Sequence, residues 1–146
     1  MRQIIRSASI EDAEALALLA RSSDFCAHWD RAEFKTEIKN DFSRIFIAFD
    51  GNIPVGFVAF RFCLQDAELT NFAVSPVFYR RGIGSLLLEY GLKKAASENI
   101  ESITLEVNER NAPAVGLYGK FLFKTVNIRK KFYNNTDNAL LMLRNL

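Results

Sequence analysis

Residues Leu69 to Ser85 read Leu-Thr-Asn-Phe-Ala-Val-Ser-Pro-Val-Phe-Tyr-Arg-Arg-Gly-Ile-Gly-Ser, and the reading of this stretch decides the fold. Glu68 to Val74 is strand-like and stops at Pro76, which has no N–H to give to a ladder. Gly82-Ile83-Gly84 then opens a helix on which Leu86, Leu87, Tyr90 and Ala95 are spaced for one face. Two glycines between a strand and a helix let the backbone turn tightly with its N–H groups directed inward. The helix start adds partial positive charge, so main chain can cradle phosphate oxygens there. Arg80 and Arg81 add full charges. An ordinary strand-to-helix turn carries glycines too, and the familiar nucleotide motifs fail on spacing. A P-loop needs Gly, four residues, then Gly-Lys-Ser or Gly-Lys-Thr, and a dinucleotide fingerprint needs a third small residue where Leu87 stands.

Downstream lies a second constellation, Leu105-Glu106-Val107-Asn108-Glu109-Arg110-Asn111-Ala112-Pro113 and then Leu117-Tyr118. Ser102 to Val107 alternates, with Ile103, Leu105 and Val107 on one side and Thr104 and Glu106 on the other. Asn111 is a good helix cap, and Pro113 belongs in a first turn where no N–H bond is lost. The helix is predicted to run from Ala112 to about Lys120. Tyr118 falls two turns after Asn111, so it projects from the same face. Each residue also has a plain structural reading: a solvated strand carboxylate, a cap and a half-buried aromatic.

Working outward, Ile4-Ile5 opens a short strand, and Ser9 with Asp12 resembles a capping box before a helix faced by Ile10, Ala13, Leu16, Ala17 and Ala20. Asp30 caps a second helix. Arg44 to Phe49 and Ile53 to Phe62 are strand-like, joined by Asp50-Gly51-Asn52, whose glycine suits the positive φ of a hairpin turn. Two last strands are predicted near Phe123 to Ile128 and Leu140 to Leu143, joined by the polar stretch Asn134 to Asn138. A meander followed by two strand–helix alternations predicts a mixed, mostly antiparallel central sheet flanked by helices, an α/β fold.

Composition agrees with a single globular domain over residues 1–146: the chain has 146 residues, 49% hydrophobic and 25% charged. A chain of this length buries roughly two-thirds of its unfolded surface and needs no disulfide or metal. Cys26 and Cys63, without a CxxC or Cys/His cluster, read as buried or inert thiols of a reducing compartment, and no metal site is expected. No apolar stretch approaches the ~20 residues that cross a bilayer, and Met1-Arg2-Gln3 leads into a strand-like run without a signal-peptide core. A cytoplasmic protein without membrane contact is expected. The net charge of +2 hides an asymmetry, because residues 1–75 carry 8 Lys/Arg against 11 Asp/Glu and residues 76–146 carry 11 against 6. The second half suits an anionic ligand. Its basic residues are too few and dispersed for a nucleic-acid surface, and Trp29 and the phenylalanines read as core and groove lining. His28, the only histidine, reads as a loop residue.

Taken together, the two constellations resemble the Gcn5-related N-acetyltransferase (GNAT) superfamily, most closely its bacterial ribosomal-protein alanine N-acetyltransferases. Leu69 to Pro76 is similar to that family's splayed central strand, and Arg80 to Ser85 to its pyrophosphate loop. Leu105 to Tyr118 and Arg129-Lys130-Lys131-Phe132-Tyr133 also resemble that subfamily. The motif-level similarity covers about half of the chain, from Glu68 to Tyr133, and the N-terminal third agrees only in its order of elements.

The resemblance implies direct transfer of acetyl from acetyl-CoA to an amine, with no acyl-enzyme and no metal. An α-amine with a pKa near 8 is mostly protonated at neutral pH and must lose a proton before it attacks a thioester. By resemblance, Glu106 accepts that proton and Tyr118 protonates the departing thiolate. The main chain of Phe72, Ala73 and Val74 holds the acetyl-pantetheine. Arg80, Arg81, Gly82, Ile83, Gly84 and Ser85 bind the pyrophosphate, and Asn111 anchors the cofactor arm. The implied acceptor is a protein N-terminus, in particular the N-terminal alanine of the eighteenth small-subunit ribosomal protein, and the enzyme is expected as a monomer or weak dimer. A small-amine acetyltransferase of the polyamine or aminoglycoside type keeps the same cofactor residues. A non-catalytic acetyl-CoA-binding module is the third reading, and an intact Glu106, Asn111 and Tyr118 set argues against it. Four departures stand out. Tyr79 replaces a Gln or Arg, Leu122 replaces the glycine that ends the last helix, His28-Trp29-Asp30 replaces Pro-Trp-Ser, and Phe132-Tyr133-Asn134 replaces Tyr-Tyr-Pro before a shortened loop. Leu122 predicts a different helix end, because a left-handed non-glycine cap costs about 1 kcal/mol.

Overall fold

The computed structural model describes residues 3–146, and the reading of Met1-Arg2 lies outside them. Among the described residues, seven strands form one sheet in the order β1-β2-β3-β4-β5-β7-β6. They are β1 (Gln3–Ser7), β2 (Ser43–Asp50), β3 (Ile53–Cys63), β4 (Asp66–Val74), β5 (Ser102–Asn108), β6 (Lys124–Tyr133) and β7 (Asp137–Asn145). Among these strands only the β4–β5 pairing is parallel; the others are antiparallel. This is the mixed, mostly antiparallel sheet with flanking helices that the sequence predicts.

The central strands are apolar on both faces, as strands buried between two helical layers must be. Alternation sends Ile45, Ile47, Phe57 and Ala59 toward α1 (Ala13–Arg21) and α2 (Arg31–Lys39). Their neighbours Phe46, Ala48, Val58 and Phe60 point the other way, into the core under α3 (Ile83–Ser97) and α4 (Ala112–Lys120). Local signals place both early helices. The Ser9 N–H donates to Asp12 Oδ2 at 2.7 Å and starts a short 3-10 turn before α1. Asp30 Oδ1 accepts from the Glu33 N–H at 2.8 Å, while Glu33 Oε1 accepts from the Asp30 N–H, which completes a capping box on α2.

The feature that makes a site is a splay. β4 and β5 pair only through Asp66–Ser102, Ala67–Ile103 and Glu68–Thr104. Beyond that point β4 stays with β3 and β5 with β7, so a cleft opens between them. A bulge helps to open it. Phe60 faces Leu69 and Ala59 faces Asn71, so Thr70 has no partner, and its hydroxyl donates to the Ala59 carbonyl at 3.2 Å.

Four expectations change. The buried stripe of α3 is Ile83, Leu87, Leu88, Gly91, Leu92 and Ala95, whereas Leu86 is exposed. Close packing decides this register: a Cβ on Gly91 would fall 2.4 Å from the Phe60 ring, so only glycine lets α3 lie this near β3. Cys63 is exposed at the end of β3 rather than buried, and Cys26 is half-buried. β6 and β7 are longer than predicted. The polar connector shrinks to 134–136, where Asn134 and Asn135 take φ of 52° and 58°, a conformation asparagine tolerates. Finally, α4 ends as a glycine-capped helix would. Leu122 is left-handed at φ 68°, the Phe123 N–H donates to the Tyr118 carbonyl at 3.0 Å, and the Leu122 N–H to the Gly119 carbonyl at 3.0 Å. That is a Schellman pair. Arg144 from β7 supports it, donating to the carbonyl of the cap residue Phe121 at 3.0 Å.

Candidate active site

Two walls of the cleft are main chain. The Ser75 N–H donates to the Val55 carbonyl at 2.8 Å, so strand alternation turns the amides of Val74 and Phe72 to the opposite, cleft-facing edge. The Phe72 N–H is met there by Asn71 Oδ1 at 3.0 Å. Asn71 is buried, and its amide nitrogen donates to the Ala27 carbonyl at 2.9 Å, which ties the loop before α2 to the bulged strand. Within the predicted triplet, Ala73 differs from its neighbours. Its side chain packs under α1 and α2, and its carbonyl lies on the β3 side, toward Gly56.

At the end of β4 the chain makes a short 3-10 turn over Pro76–Phe78 and enters the loop of residues 79–82. Gly82 is left-handed at φ 77°, the tight turn its lack of a Cβ permits, and Arg80 is left-handed as well at φ 64°. Gly84 serves a different purpose. A Cβ there would fall 3.3 Å from Leu117 of α4 and 3.6 Å from Phe72 of β4, so its hydrogen lets the start of α3 close against both. The Leu86 N–H is the first to bond back, to the Gly82 carbonyl at 3.0 Å. The preceding amides of Ile83, Gly84 and Ser85 therefore have no carbonyl behind them within α3. These amides, the helix dipole and the exposed Arg80 place partial and full positive charge beside the cleft, chemistry suited to an anion. Ile83 takes part through its backbone alone, since its side chain is core, and the Arg81 guanidinium stacks on Phe78 at 5.2 Å.

α4 forms the remaining wall. Asn111 caps it, with Oδ1 accepting from the Ala114 N–H at 3.4 Å, and Pro113 sits in the first turn as predicted. Tyr118 is 5% exposed, with its ring 6.1 Å from Phe72 and 5.7 Å from Phe123. Burial pushes its phenol well above the ordinary range, and the nearby Tyr133 adds to the shift. The proton therefore stays on Tyr118 throughout the physiological range.

Glu106 stands on β5 on the face opposite the α3 core, with a quarter of its side chain exposed. It is not the solitary carboxylate that the sequence shows. Arg129 of β6 reaches it, with Nη2 3.4 Å from Oε1. Tyr133, at the end of β6, is half-buried, and its phenol is also raised, first by burial and then by the charge of Glu106. Tyr133 is thus near enough to sense both Tyr118 and Glu106.

A polar clamp fixes the strand end that carries Tyr133. Asn108 Nδ2 donates to Asp137 Oδ2 at 3.0 Å, Asn138 Nδ2 to Glu109 Oε2 at 3.1 Å, and the Lys131 N–H to Asn138 Oδ1 at 2.9 Å. Asp137 is held below the usual carboxylate range, chiefly by the Asn108 bond. These bonds tie the β6–β7 hairpin to the loop leading into α4. The contacts of Asn71, Arg129, Tyr133 and this clamp escape a reading of local pattern, although Asn71, Asn108, Glu109, Arg129 and Tyr133 all lie in the stretches that resemble the family.

A family profile, Acetyltransferase (GNAT) family, matches residues 12–123. The chain belongs to the GNAT acetyltransferases. Among relatives, it is 29% identical over 141 residues to a Bacillus subtilis (strain 168) protein named as a candidate ribosomal protein bS18-alanine N-acetyltransferase, an alignment covering 94% of this chain and 92% of that protein. The bS18-alanine N-acetyltransferase of Escherichia coli (strain K12) is 35% identical over 82 residues, which span 54% of this chain and 55% of that enzyme. The crystal structure of the ribosomal-protein-S18-alanine N-acetyltransferase from Escherichia coli has the same fold, with a TM-score of 0.91, 24% identity, and coverage of 99% of this chain and 94% of that one. Arabidopsis thaliana NAA60 in complex with acetyl-CoA also has this fold, with a TM-score of 0.88, 18% identity and 99% of each chain covered. Among the described residues no helix is long and apolar enough to cross a membrane.

Proposed function

We propose that residues 1–146 act as one cytoplasmic N-acetyltransferase domain that transfers acetyl from acetyl-CoA to the N-terminal α-amine of a protein, the N-terminal alanine of a bS18-type ribosomal protein. The observation that carries this reading is the cleft itself. A carboxylate on β5 and a protonated phenol on α4 flank a strand edge that ends in an anion-binding helix start.

In this reading the pyrophosphate lies on the amides of Gly82 to Ser85 beside Arg80 and Arg81, and Asn111 anchors the arm. The pantetheine runs along the open edge of β4. The thioester carbonyl takes the Phe72 N–H from Asn71, so the strain of developing negative charge is met by a fixed backbone donor. The α-ammonium loses its proton to Glu106, directly or through water, and the free amine attacks the carbonyl carbon. When the tetrahedral adduct collapses, the C–S bond breaks and its electron pair leaves on sulfur. A thiol has a pKa near 8.5 and a phenol near 10, and burial widens that gap here, so Tyr118 acts first as a hydrogen-bond donor to the sulfur. Its proton moves only as the bond breaks, while the adduct nitrogen gives up its second proton to solvent and Tyr118 regains one from solvent, leaving a neutral amide and the CoA thiol.

The acceptor class rests on the likeness of sequence to the two bacterial relatives and on the acidic N-terminal half, which complements a basic ribosomal protein. The test is CoA thiol release from acetyl-CoA with a short peptide bearing a free N-terminal alanine of bS18 type, beside the same peptide already N-acetylated. Turnover on the free amine alone supports α-amino acetylation. Binding of acetyl-CoA without turnover on either peptide overturns the peptide reading and leaves small amines or a binding role.

A further inference from the structure

Arg129 makes an ion-pair contact that joins two strands that are not neighbours in the sheet. It lies on the edge strand β6, half-exposed, with β7 between it and Glu106. In register Arg129 faces Ala139, Ala139 faces Asn108, and Leu141 faces Glu106, so the arginine arm crosses β7 on the diagonal. The small Ala139, fully buried, sits under that path. The other side of the guanidinium stacks on Phe132 at 5.2 Å, and Phe132 meets Tyr133 edge-on at 5.0 Å. The bonds from Lys131 to Asn138 and from Asn138 to Glu109 hold this strand end against the loop before α4. Arg129 is therefore aimed, and its target is one oxygen of Glu106.

We propose that Arg129 is a positioning residue for Glu106. By engaging Oε1 it selects one orientation of the carboxylate and leaves Oε2 for the acceptor amine or its water. Tyr133 and Tyr118 are the other titratable groups on this side of the cleft, and both remain neutral phenols, so Arg129 supplies the only full positive charge that contacts Glu106 among the described residues. This inference rests on Glu106 being the proton acceptor.

The test uses the full chain and the CoA-release assay with the free-amine peptide. Arg129→Gln is expected to lower kcat by about tenfold, the scale of a misoriented catalytic group, with KM for both substrates and the melting temperature nearly unchanged. Arg129→Lys restores part of the loss, and added guanidinium ion restores part of it in Arg129→Ala. A purely structural role predicts neither rescue. In a Glu106→Gln background, Arg129→Gln should cost nothing more, because its effect passes through the carboxylate. Wild-type kcat in Arg129→Gln, or the same loss in both backgrounds, overturns the proposal. If Glu106→Gln is inactive while Arg129→Gln is normal, only this inference fails; if Glu106→Gln turns over normally, the assignment of Glu106 as base fails first.

Discussion

A methyl group added at Gly91 would sit 2.4 Å from Cε2 and 2.5 Å from Cζ of Phe60. Carbon atoms rest at about 3.5–4.0 Å, so the overlap is about 1 Å. Phe60 has little room to yield, being fully buried with Phe46 and Phe62 at centroid distances of 6.2 Å and 6.0 Å. Overpacking costs about 1–3 kcal/mol, here the upper part of that range, about 2–3 kcal/mol, because the buried ring cannot yield, and replacing a mid-helix glycine by alanine returns about 1 kcal/mol of helix propensity. Gly91→Ala is therefore expected to destabilise the protein by about 1–2 kcal/mol, lowering the melting temperature by roughly 2–8 °C for a chain of this size. Gly116 in α4 supplies the control, because it is exposed and a Cβ there meets nothing within 4 Å. Gly116→Ala should stabilise by up to about 1 kcal/mol. Urea and thermal unfolding of the two variants, without acetyl-CoA, measure both signs. A Gly91→Ala protein as stable as the parent would refute the packing of α3 on β3 described above.

Other consequences are direct. Leu122→Gly relieves a left-handed leucine that is 66% exposed, so it should raise stability by up to about 1 kcal/mol despite the larger side chain lost; a fall in the urea midpoint would contradict the Schellman end of α4. The guanidinium of Arg6 bonds both oxygens of Asp12, at 2.7 Å and 3.0 Å, and this bond holds the carboxyl of Asp12 below its usual range. A depressed carboxyl contributes stability that is present above its unfolded pKa, about 4, and lost as pH falls through the folded value. Arg6→Gln should therefore lower stability by its full amount at neutral pH, with the difference from the parent shrinking as pH falls below about 4, as followed by urea unfolding across a pH series. Tyr118→Phe keeps the ring packing on Phe72 and Phe123 and removes only the donor, so kcat should drop about 10²–10⁴-fold with the fold intact. With the Tyr118 phenol raised by burial, no loss of activity from its ionisation is expected on the alkaline side up to about pH 10.

Much of the site was legible because its signals are local. A strand stopped by Pro76, a glycine at the one loop position with φ of 77° that needs it, and an Asn111 cap followed by Pro113 each depend on neighbours within a few residues. The β5 alternation that separates Glu106 from Leu105 is equally local. Where local reading went astray, packing decided. Leu86 and Leu87 satisfy a helical period equally well, and only the closeness of Phe60 to Gly91 tells which one faces the sheet. Leu122 keeps a glycine's conformation because two backbone bonds and the Arg144 contact hold the helix end from outside its own sequence.

The sequence by itself determined the class of the protein, the open strand edge, the anion-binding turn and the identities of a carboxylate and a phenol on neighbouring elements. The class and the open strand edge came from the likeness of two stretches to a known family; the turn, the cap and the faces of the carboxylate and phenol follow from periodicity and turn chemistry, which act over one or two helical turns. Only the tertiary structure decided what surrounds the carboxylate. Arg129 and Tyr133 reach Glu106 and Tyr118 through the pairing of β6 on β7 and β7 on β5, with a three-residue irregularity between Arg129 and Tyr133. Register of that kind is set by contacts between residues far apart in the chain, and a shift of one position would turn Arg129 to the other face of the sheet.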